Sequence, residues 1–433
     1  MNKNNISHAI ITSPLWGRMG GGCSLWLSLE LILVTVICWW TFAPVLEKAY
    51  IYNLPYGYDP DRMVRMEVAS TLNRTERMNR QEEICTEEEM LLRKVQEIED
   101  VEVAFRSVYS APGFGSKFMF YHRLEDSTYL RSEGIYFMPE SPIFKAFGIE
   151  SLTSDVPTSE LTNVCEDDNT IILSRTYAMS AFGTTEVAGR TITMYNLHRD
   201  STITYRIRAV VEDARLGKWD KDYLTIYVCS TRGLPETNMP IIVRLRKDAS
   251  VEQFREKCEY ELQQSLMTEH CYIRKIESVR EENDFSMGRS NGRLMSRNIL
   301  IAAFFAINLA FGVFGTLLMY MRQRREEAGV RRAFGATRWS VFWGFIREAW
   351  LLTTVSVLIG CIIYFQYQVS GDFYETSIYT NPAVHHWFDS IETHFPIVSL
   401  CVYLYILCTV LIGTAIPAWR ICRSKITEAI KEE

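Results

Sequence analysis

His385, His386, Asp389 and His394 form the densest group of potential metal ligands in the chain. Imidazole and carboxylate are ligand types that zinc accepts, and in a helical loop His385 and Asp389 would share a face. The set contains no H-E-x-x-H, and its spacing matches no closed zinc site, so a polar surface loop is the better account. A second stretch, GTTEVAGRT at residues 183–191, has the look of a phosphate-cradling loop. It has five residues between its glycines instead of four, and Arg190 where the lysine belongs. No G-x-x-x-x-G-K-[ST] occurs anywhere, so the chain carries no P-loop of its own. On these residues the protein reads as non-catalytic, with no cofactor and no metal.

Four apolar segments set the frame in which such residues must be placed. Residues 25–46 contain one charge, Glu30, while 298–321, 349–367 and 395–417 contain none. A helix rises about 1.5 Å per residue, so about 20 apolar residues cross a hydrocarbon core of about 30 Å. All four runs reach that length. The first is too long for a signal-peptide core and no A-x-A-like cleavage site follows it, so a retained anchor is expected. Glu30 stands several residues inside that anchor, where an acid costs roughly 2.5–3.5 kcal/mol at mid-membrane and less near the interface. It is expected to face protein or water, either in a functional pairing or simply as a satisfied carboxylate.

Charge orients the segments. The chain of 433 residues has a formal net charge of −6 and gives no general reason to bind nucleic acid. Against that acidic background, Arg322, Arg324, Arg325, Arg331, Arg332, Arg338 and Arg347 crowd into residues 322–347, opposed there only by Glu326 and Glu327. Lys3 and Arg18 precede the first run with no acid beside them, and Arg420, Arg423, Lys425 and Lys431 follow the last. The 368–394 loop has Asp372, Glu375, Asp389 and Glu392 and no basic residue. Basic flanks stay cytoplasmic. Both termini are therefore expected inside, with the region from 47 to 296 outside.

That outer region is long enough for its own core. Thr86 and Glu89 form a predicted capping box that opens a helix with Leu91, Val95 and Ile98 on one face. Ser250 and Gln253 form a second, ahead of a stripe of Val251, Phe254, Cys258, Leu262 and Leu266. Strands are expected at VEVAF, PIIVRLRKDA and YIRKIESV. TITYRIRAVV and YLTIYVC alternate as half-buried strands do. The predicted domain is an α+β sandwich completed by both ends of the region, with a β-rich insertion between. Residues 47–80 read as a lead-in that extends the first helix. Of the 11 cysteines, the outer region holds Cys85, Cys165, Cys229, Cys258 and Cys271. Five small buried thiols are expected, with a Cys258–Cys271 bridge as the alternative. Tyr121, Tyr136, Phe137, Tyr223 and Tyr227 are read as core, with a binding face as the alternative.

The order of residues in the arginine stretch needs more than topology. RREEAGVRRAFGAT is helix-friendly up to Gly335, whose missing β-carbon permits a sharp turn. Thr337 is placed to cap a following helix, RWSVFWGFIREAWLL, which re-enters the membrane with Trp339, Phe342 and Trp343 at the interface. The result is a rigid charged knuckle.

In these residues the sequence resembles the MacB-like and FtsX-like ABC transporter permeases, whose signature after the second span runs approximately R-x-E-I-G-I-R-R-A-L-G-A-T. Here Arg325-Glu326-Glu327-Ala328-Gly329-Val330-Arg331-Arg332-Ala333-Phe334-Gly335-Ala336-Thr337 matches it, departing at Ala328 and Phe334. Pro417, Ala418, Trp419, Arg420, Arg423, Glu428 and Ala429 match the family's C-terminal motif, while Thr427 departs from it. ILSRTYAMSAFGTTEVAGRTI and YRIRAVVED resemble its outer-domain segments, which makes the false phosphate loop a structural turn around Gly189 and Thr191.

The resemblance implies a multi-pass protein of the bacterial inner membrane, with four transmembrane helices in a one-plus-three arrangement and a large α+β periplasmic domain. The corresponding divisions are a tail at 1–23, helices at 24–46, 297–321, 349–367 and 395–417, an outer domain at 47–296, a cytoplasmic coupling loop at 322–348, an outer loop at 368–394 and a tail at 418–433. It further implies a P-loop ATPase subunit as a separate partner, a second permease copy or homologue in a dimer, and a periplasmic adaptor. Mechanotransmission for efflux or envelope processes is the implied function. Arg325, Glu327, Gly329, Arg331, Arg332, Gly335, Ala336 and Thr337 are the implied ATPase-coupling residues. A membrane-anchored periplasmic binding or signalling protein, uncoupled from ATP, is the alternative.

Overall fold

The structure is a computed structural model that describes residues 22–423 except 108–109, 116–117, 125–128, 164–168, 197–200, 218–219, 222, 230–236, 262–263, 280, 282–296, 298, 302, 306, 309, 313, 317, 320–324 and 371–385. The chain divides into two compact units. One comprises the described parts of Met1–Lys48, Met295–Glu375 and His386–Glu433, the other those of Ala49–Leu294.

Helix α1 (Gly22–Tyr52) opens the first unit and continues past the apolar run, its last residues belonging to the second. The outer unit then follows as β1 (Met63–Ser70), α2 (Arg74–Asn79), α3 (Gln81–Gln96), β2 (Val101–Arg106), the hairpin β3 (Ser110–Ala111) and β4 (Phe114–Gly115), β5 (Phe118–Arg123), β6 (Tyr129–Phe137) and α4 (Ile143–Phe147). It continues through β7 (Thr170–Ser174), α5 (Arg175–Phe182), β8 (Thr191–Asn196), β9 (Ser201–Val211), β10 (Thr225–Cys229), β11 (Ile241–Leu245), α6 (Val251–Glu256) and β12 (Cys271–Ser278).

The two ends of this unit meet in one antiparallel sheet of order β12-β1-β11-β2, with Val64 opposite both Ser278 and Val243. Val64, Met66 and Val68 alternate along β1 to one face, where Ile84, Leu91 and Val95 of α3 and Phe254 of α6 bury against them. This is the expected α+β layer. The insertion is a closed barrel, β10-β6-β5-β8-β9-β7, filled by residues such as Leu130, Ile171, Leu173, Tyr177, Ile207 and Ile226. A third core, with Phe105, Phe137, Phe144, Tyr227 and Ile242, joins barrel to sheet.

Several local expectations are corrected. Strand β10 is buried at every position rather than half-buried. Ile226 and Val228 face the barrel core while Tyr227 and Cys229 face the joining core, so there is no solvent side to alternate toward. Thr86 lies inside α3 with its hydroxyl donating to Glu82 O, because QEEIC already has the helical pattern and starts the helix earlier. The capping box that does form is Asn73 with Glu76, on α2. Ser250 occupies the N-cap of α6 but its hydroxyl turns to Glu252, leaving the box unmade. The lead-in contains the central strand β1, disguised by Arg65 and Glu67 on its polar face.

Cys85, Cys258 and Cys271 are free thiols, so the Cys258–Cys271 bridge is absent. Cys229 is disulfide-bonded, which overturns the reading of five thiols. Tyr121, Phe137 and Tyr227 are buried, as core residues should be.

The first unit contains α1 and four further segments: α7, described over Ile299–Thr316, α8 (Arg325–Ala333), α9 (Arg338–Ser370) and α10 (Ile391–Arg423). Among these, α1, α7, α9 and α10 are long and apolar enough to cross a membrane. Leu27, Leu31, Val34 and Cys38 of α1 and Val398, Val402, Ile406 and Val410 of α10 recur at helical spacing and bury together with Val357, Cys361 and Tyr364 of α9. The opposite faces stay apolar and exposed, at Leu29, Leu33, Ile362 and Leu400 for example, as lipid-facing helices require. Trp39 is fully buried at the centre, stacked 4.4 Å from Tyr364 and donating to Ser399 Oγ at 3.0 Å. Glu30 is half-buried, and the Thr316 hydroxyl of α7 donates to its Oε2 at 3.0 Å.

Candidate coupling site

The arginine stretch folds into a helix, a tight turn and a second helix. Arg325 to Ala333 have good helical propensity and form α8. Gly335 ends it at φ +93°, a conformation costly to any residue with a β-carbon. The Gly335 amide donates to Arg332 O and the Ala336 amide to Arg331 O, both at 3.1 Å. This is the Schellman pairing that satisfies the last carbonyls of a helix. Immediately beyond, the Ser340 amide donates to Thr337 Oγ1 at 3.2 Å, so Thr337 caps α9.

Small residues hold the knuckle in place. Ala328 (1% exposed) is buried with Val341 and Phe345 of α9 and with Ala418 and Cys422 of α10, and Ala336 packs on the same cluster. Ala328 is the position at which the signature has isoleucine, and the shorter side chain lets α8 lie close to Ala418. Gly329 is buried beside it. The aromatic side chains form a collar around the cluster. Trp339 lies 5.5 Å from Trp419 and 5.8 Å from Phe342, and the Arg423 guanidinium sits 5.3 Å over Trp419. One helix is thus held against the beginning of α9 and the end of α10.

The outward face carries the charge. Arg331 is exposed and reaches toward Gly344, whose added β-carbon would stand 3.9 Å from its Nη1, while Arg332 is half-buried. Arg325 and Glu327 belong to α8, and their side chains lie outside the described residues. Sequence reasoning missed Phe334. It is 88% exposed, the most exposed large apolar side chain among those described, with Val330 one turn before it at 48%. An apolar residue directly ahead of the helix-ending glycine in a basic loop was the available signal. The arrangement offers an exposed apolar side chain, Phe334, at the end of a basic helix, which suits an apolar groove with acidic groups beside it.

The other chemical candidates disperse. Asp389 accepts the His386 backbone amide at 2.9 Å, while His394 approaches Glu47 of α1 at 3.1 Å, and His385 lies outside the described residues. Gly183 is the left-handed C-cap of α5, and the Gly189 amide donates to Ile207 O at 2.7 Å, so GTTEVAGRT consists of turns around the buried Val187. Gly288-Arg289-Ser290-Asn291-Gly292 has the letters of a nucleophile elbow, a motif that needs a strand running into the serine and a helix leaving it. It falls outside the described residues.

A group not evident in the sequence is Glu83, Glu87 and His270, whose ligand atoms lie within 4.8 Å of one another. Glu87 is already engaged by the His270 amide and ring Nδ1, both at 2.8 Å, and by Thr268 Oγ1 at 2.5 Å, and Arg80 stands 3.4 Å from the other ring nitrogen. These contacts make it a strap from α3 to the turn before β12.

The FtsX-like permease C-terminal family matches residues 299–426. The macrolide export ATP-binding/permease protein MacB of Marinobacter nauticus is 36% identical over 67 residues, 15% of this chain and 10% of that protein. The chain thus spans about a tenth of the length of the curated relative it matches. Among solved structures, the periplasmic region of MacB from Actinobacillus actinomycetemcomitans aligns with 53% of this chain and 94% of its own, at 12% identity and a TM-score of 0.27. The extracellular domain of the ABC-type transporter YknZ from Gram-positive bacteria aligns with 49% of this chain and 100% of its own, at 13% identity and a TM-score of 0.27.

Proposed function

We propose that this chain, which the FtsX-like permease C-terminal family matches over residues 299–426, is the transmembrane subunit of a MacB-like or FtsX-like ABC transporter of the mechanotransmission type. A separate cytoplasmic P-loop ATPase docks on α8. Its ATP-driven movements pass through α9 and α10 to α1, which packs on both, and displace the outer domain. Two copies, or this chain and a homologue, form the working unit in the bacterial inner membrane, with both termini inside and a periplasmic adaptor outside. Efflux or another envelope process is the outcome.

The observation that carries this reading is the knuckle: a Schellman-closed helix seated on both α9 and α10 through Ala328 and Ala418, with Phe334 and Arg331 exposed. A topological signal needs the positive charge but neither the turn nor the seat. The Cys229 disulfide supports an outer location for the α+β domain, since such bonds persist in oxidising compartments.

The test is co-purification of the tagged chain with its ATPase, comparing wild type with Arg331→Glu/Arg332→Glu and with Phe334→Glu. Capture by wild type and loss in both variants is expected. Equal capture by all three places docking elsewhere, and capture by none leaves the arginines a topological role alone.

A further inference from the structure

Between the end of α1 and the first sheet strand runs the tether Leu54-Pro55-Tyr56-Gly57-Tyr58. A flexible linker here would absorb any displacement of the helix. Instead, each of its five residues is held. Leu54 O accepts from Arg215 Nη1, and Pro55 O accepts from Tyr223 Oη at 2.6 Å. Tyr56 O accepts from the Arg215 amide at 2.8 Å, and its ring lies 4.9 Å under the Arg215 guanidinium. Gly57, at φ +77°, is pressed so close to the chain that an added β-carbon would meet Asp213 O at 2.0 Å. Tyr58 packs edge-on against Phe147 at 5.1 Å. There is no slack on the helix side either, since Asn53 and Leu54 amides close back on Tyr50 and Ile51.

The segment that grips the tether is itself anchored to the barrel. The Asp213 carboxylate accepts the Thr176 amide at 2.8 Å and the Thr176 hydroxyl at 2.7 Å, at the start of α5. Ser174 Oγ donates to Tyr223 O at 2.8 Å, and Tyr223 takes a left-handed φ of 51° to reach both partners. Arg215 is at the centre, completely buried, with Nε on Gly217 O at 2.9 Å. Burying a guanidinium is costly unless its donors are engaged. A planar fork that bonds two carbonyls while stacking on a ring does what a lysine cannot.

The geometry points to Arg215 as the pin of a rigid joint that makes the outer end of α1 and the outer domain one mechanical piece. It is a positioning residue for transmission, and the inference rests on the coupling function proposed above. Displacement of the last residues of α1, Ala49–Tyr52, then moves the barrel with them.

The experiment uses the full chain in lipid nanodiscs with its ATPase, as wild type and as Arg215→Lys, Arg215→Met and Tyr223→Phe. Amide hydrogen exchange is followed at residues 213–217 and 53–58, and separately across the barrel strands with and without ATP. Tyr223→Phe deletes a single hydroxyl, so it keeps the test usable if an Arg215 variant fails to fold. The expected result is exchange at the Arg215 amide rising by about tenfold or more. The ATP-dependent change in the barrel falls by about half or more, while ATP hydrolysis stays within about twofold. Unchanged exchange at 213–217 overturns the joint itself. Raised exchange with an undiminished ATP response overturns its role in transmission and leaves the coupling function standing. A wild-type barrel that does not respond to ATP overturns the coupling function, and the transmission role with it.

Discussion

The Ala336 amide donates to the Arg331 carbonyl at 3.1 Å across Gly335, so the basic helix is closed at the point where the chain turns into α9. That bond requires the left-handed backbone at Gly335. Nothing lies within 4 Å of a β-carbon added there, so substitution meets a backbone cost alone. Gly335→Ala is expected to weaken the turn by about 1–2 kcal/mol, and Gly335→Asn by less. Exchange at the Gly335 and Ala336 amides reads this directly: a rise of roughly 5- to 30-fold for alanine corresponds to that energy. Equal rates in all three proteins would show that the left-handed angle is not what closes α8.

Gly360 of α9 touches α1, and a β-carbon added to it would stand 2.6 Å from Thr35 Cβ and 3.1 Å from Ile32 O. Small residues permit such crossings in membranes. Gly360→Val is expected to cost about 1–3 kcal/mol through overpacking. Gly315→Val is the control, since its β-carbon meets nothing within 4 Å. Thermal unfolding in detergent should separate the two by several degrees, and coincident curves would remove the crossing.

In the outer domain, burial by itself would raise the Glu87 carboxyl, but donors from Thr268 and His270 outweigh it and hold the group below its ordinary range. A carboxylate held low stabilises the fold above its unfolded pKa, and that contribution is lost as pH falls through the folded value. Glu87→Gln should therefore cost about 1–3 kcal/mol near neutrality and progressively less below about pH 4. Denaturant unfolding of the wild type and the variant across pH 3–7 checks this, and a gap that is constant with pH would contradict it.

Thr316 shares its hydroxyl between Glu30 Oε2 at 3.0 Å and Gly312 O at 2.9 Å. Thr316→Val removes this hydrogen bond from a half-buried carboxyl group and should cost about 0.5–1.5 kcal/mol. Glu30→Gln should absorb part of that loss. A double-mutant cycle on thermal midpoints is expected to be non-additive by more than about 0.5 kcal/mol, and additivity would mean the two groups do not interact.

Local patterns announced a good deal of this molecule. The apolar runs are membrane-length helices because their composition leaves no other low-cost environment, and the knuckle followed from Gly335 and Thr337. Both signals concern neighbours in the chain. Where a polar residue hid the pattern, as Arg65 and Glu67 do in β1, or where no polar residue interrupts it, as in β10, the period of a strand was lost. Thr86 and Ser250 show the reverse: capping letters were present, but Thr86 bonds Glu82 O and Ser250 bonds Glu252.

By itself the sequence determined the four membrane-length helices, the placing of charge between them and the turn after α8, since each depends on residues a few positions apart. Tertiary structure decided what those elements hold on to. The outward exposure of Phe334 follows from the seating of Ala328 on Ala418, the strap of Glu87 spans 183 residues to His270, and Arg215 finds Leu54 across 161. Such partners meet only after the barrel and sheet have closed, because a buried donor is committed to whichever acceptor the folded backbone presents.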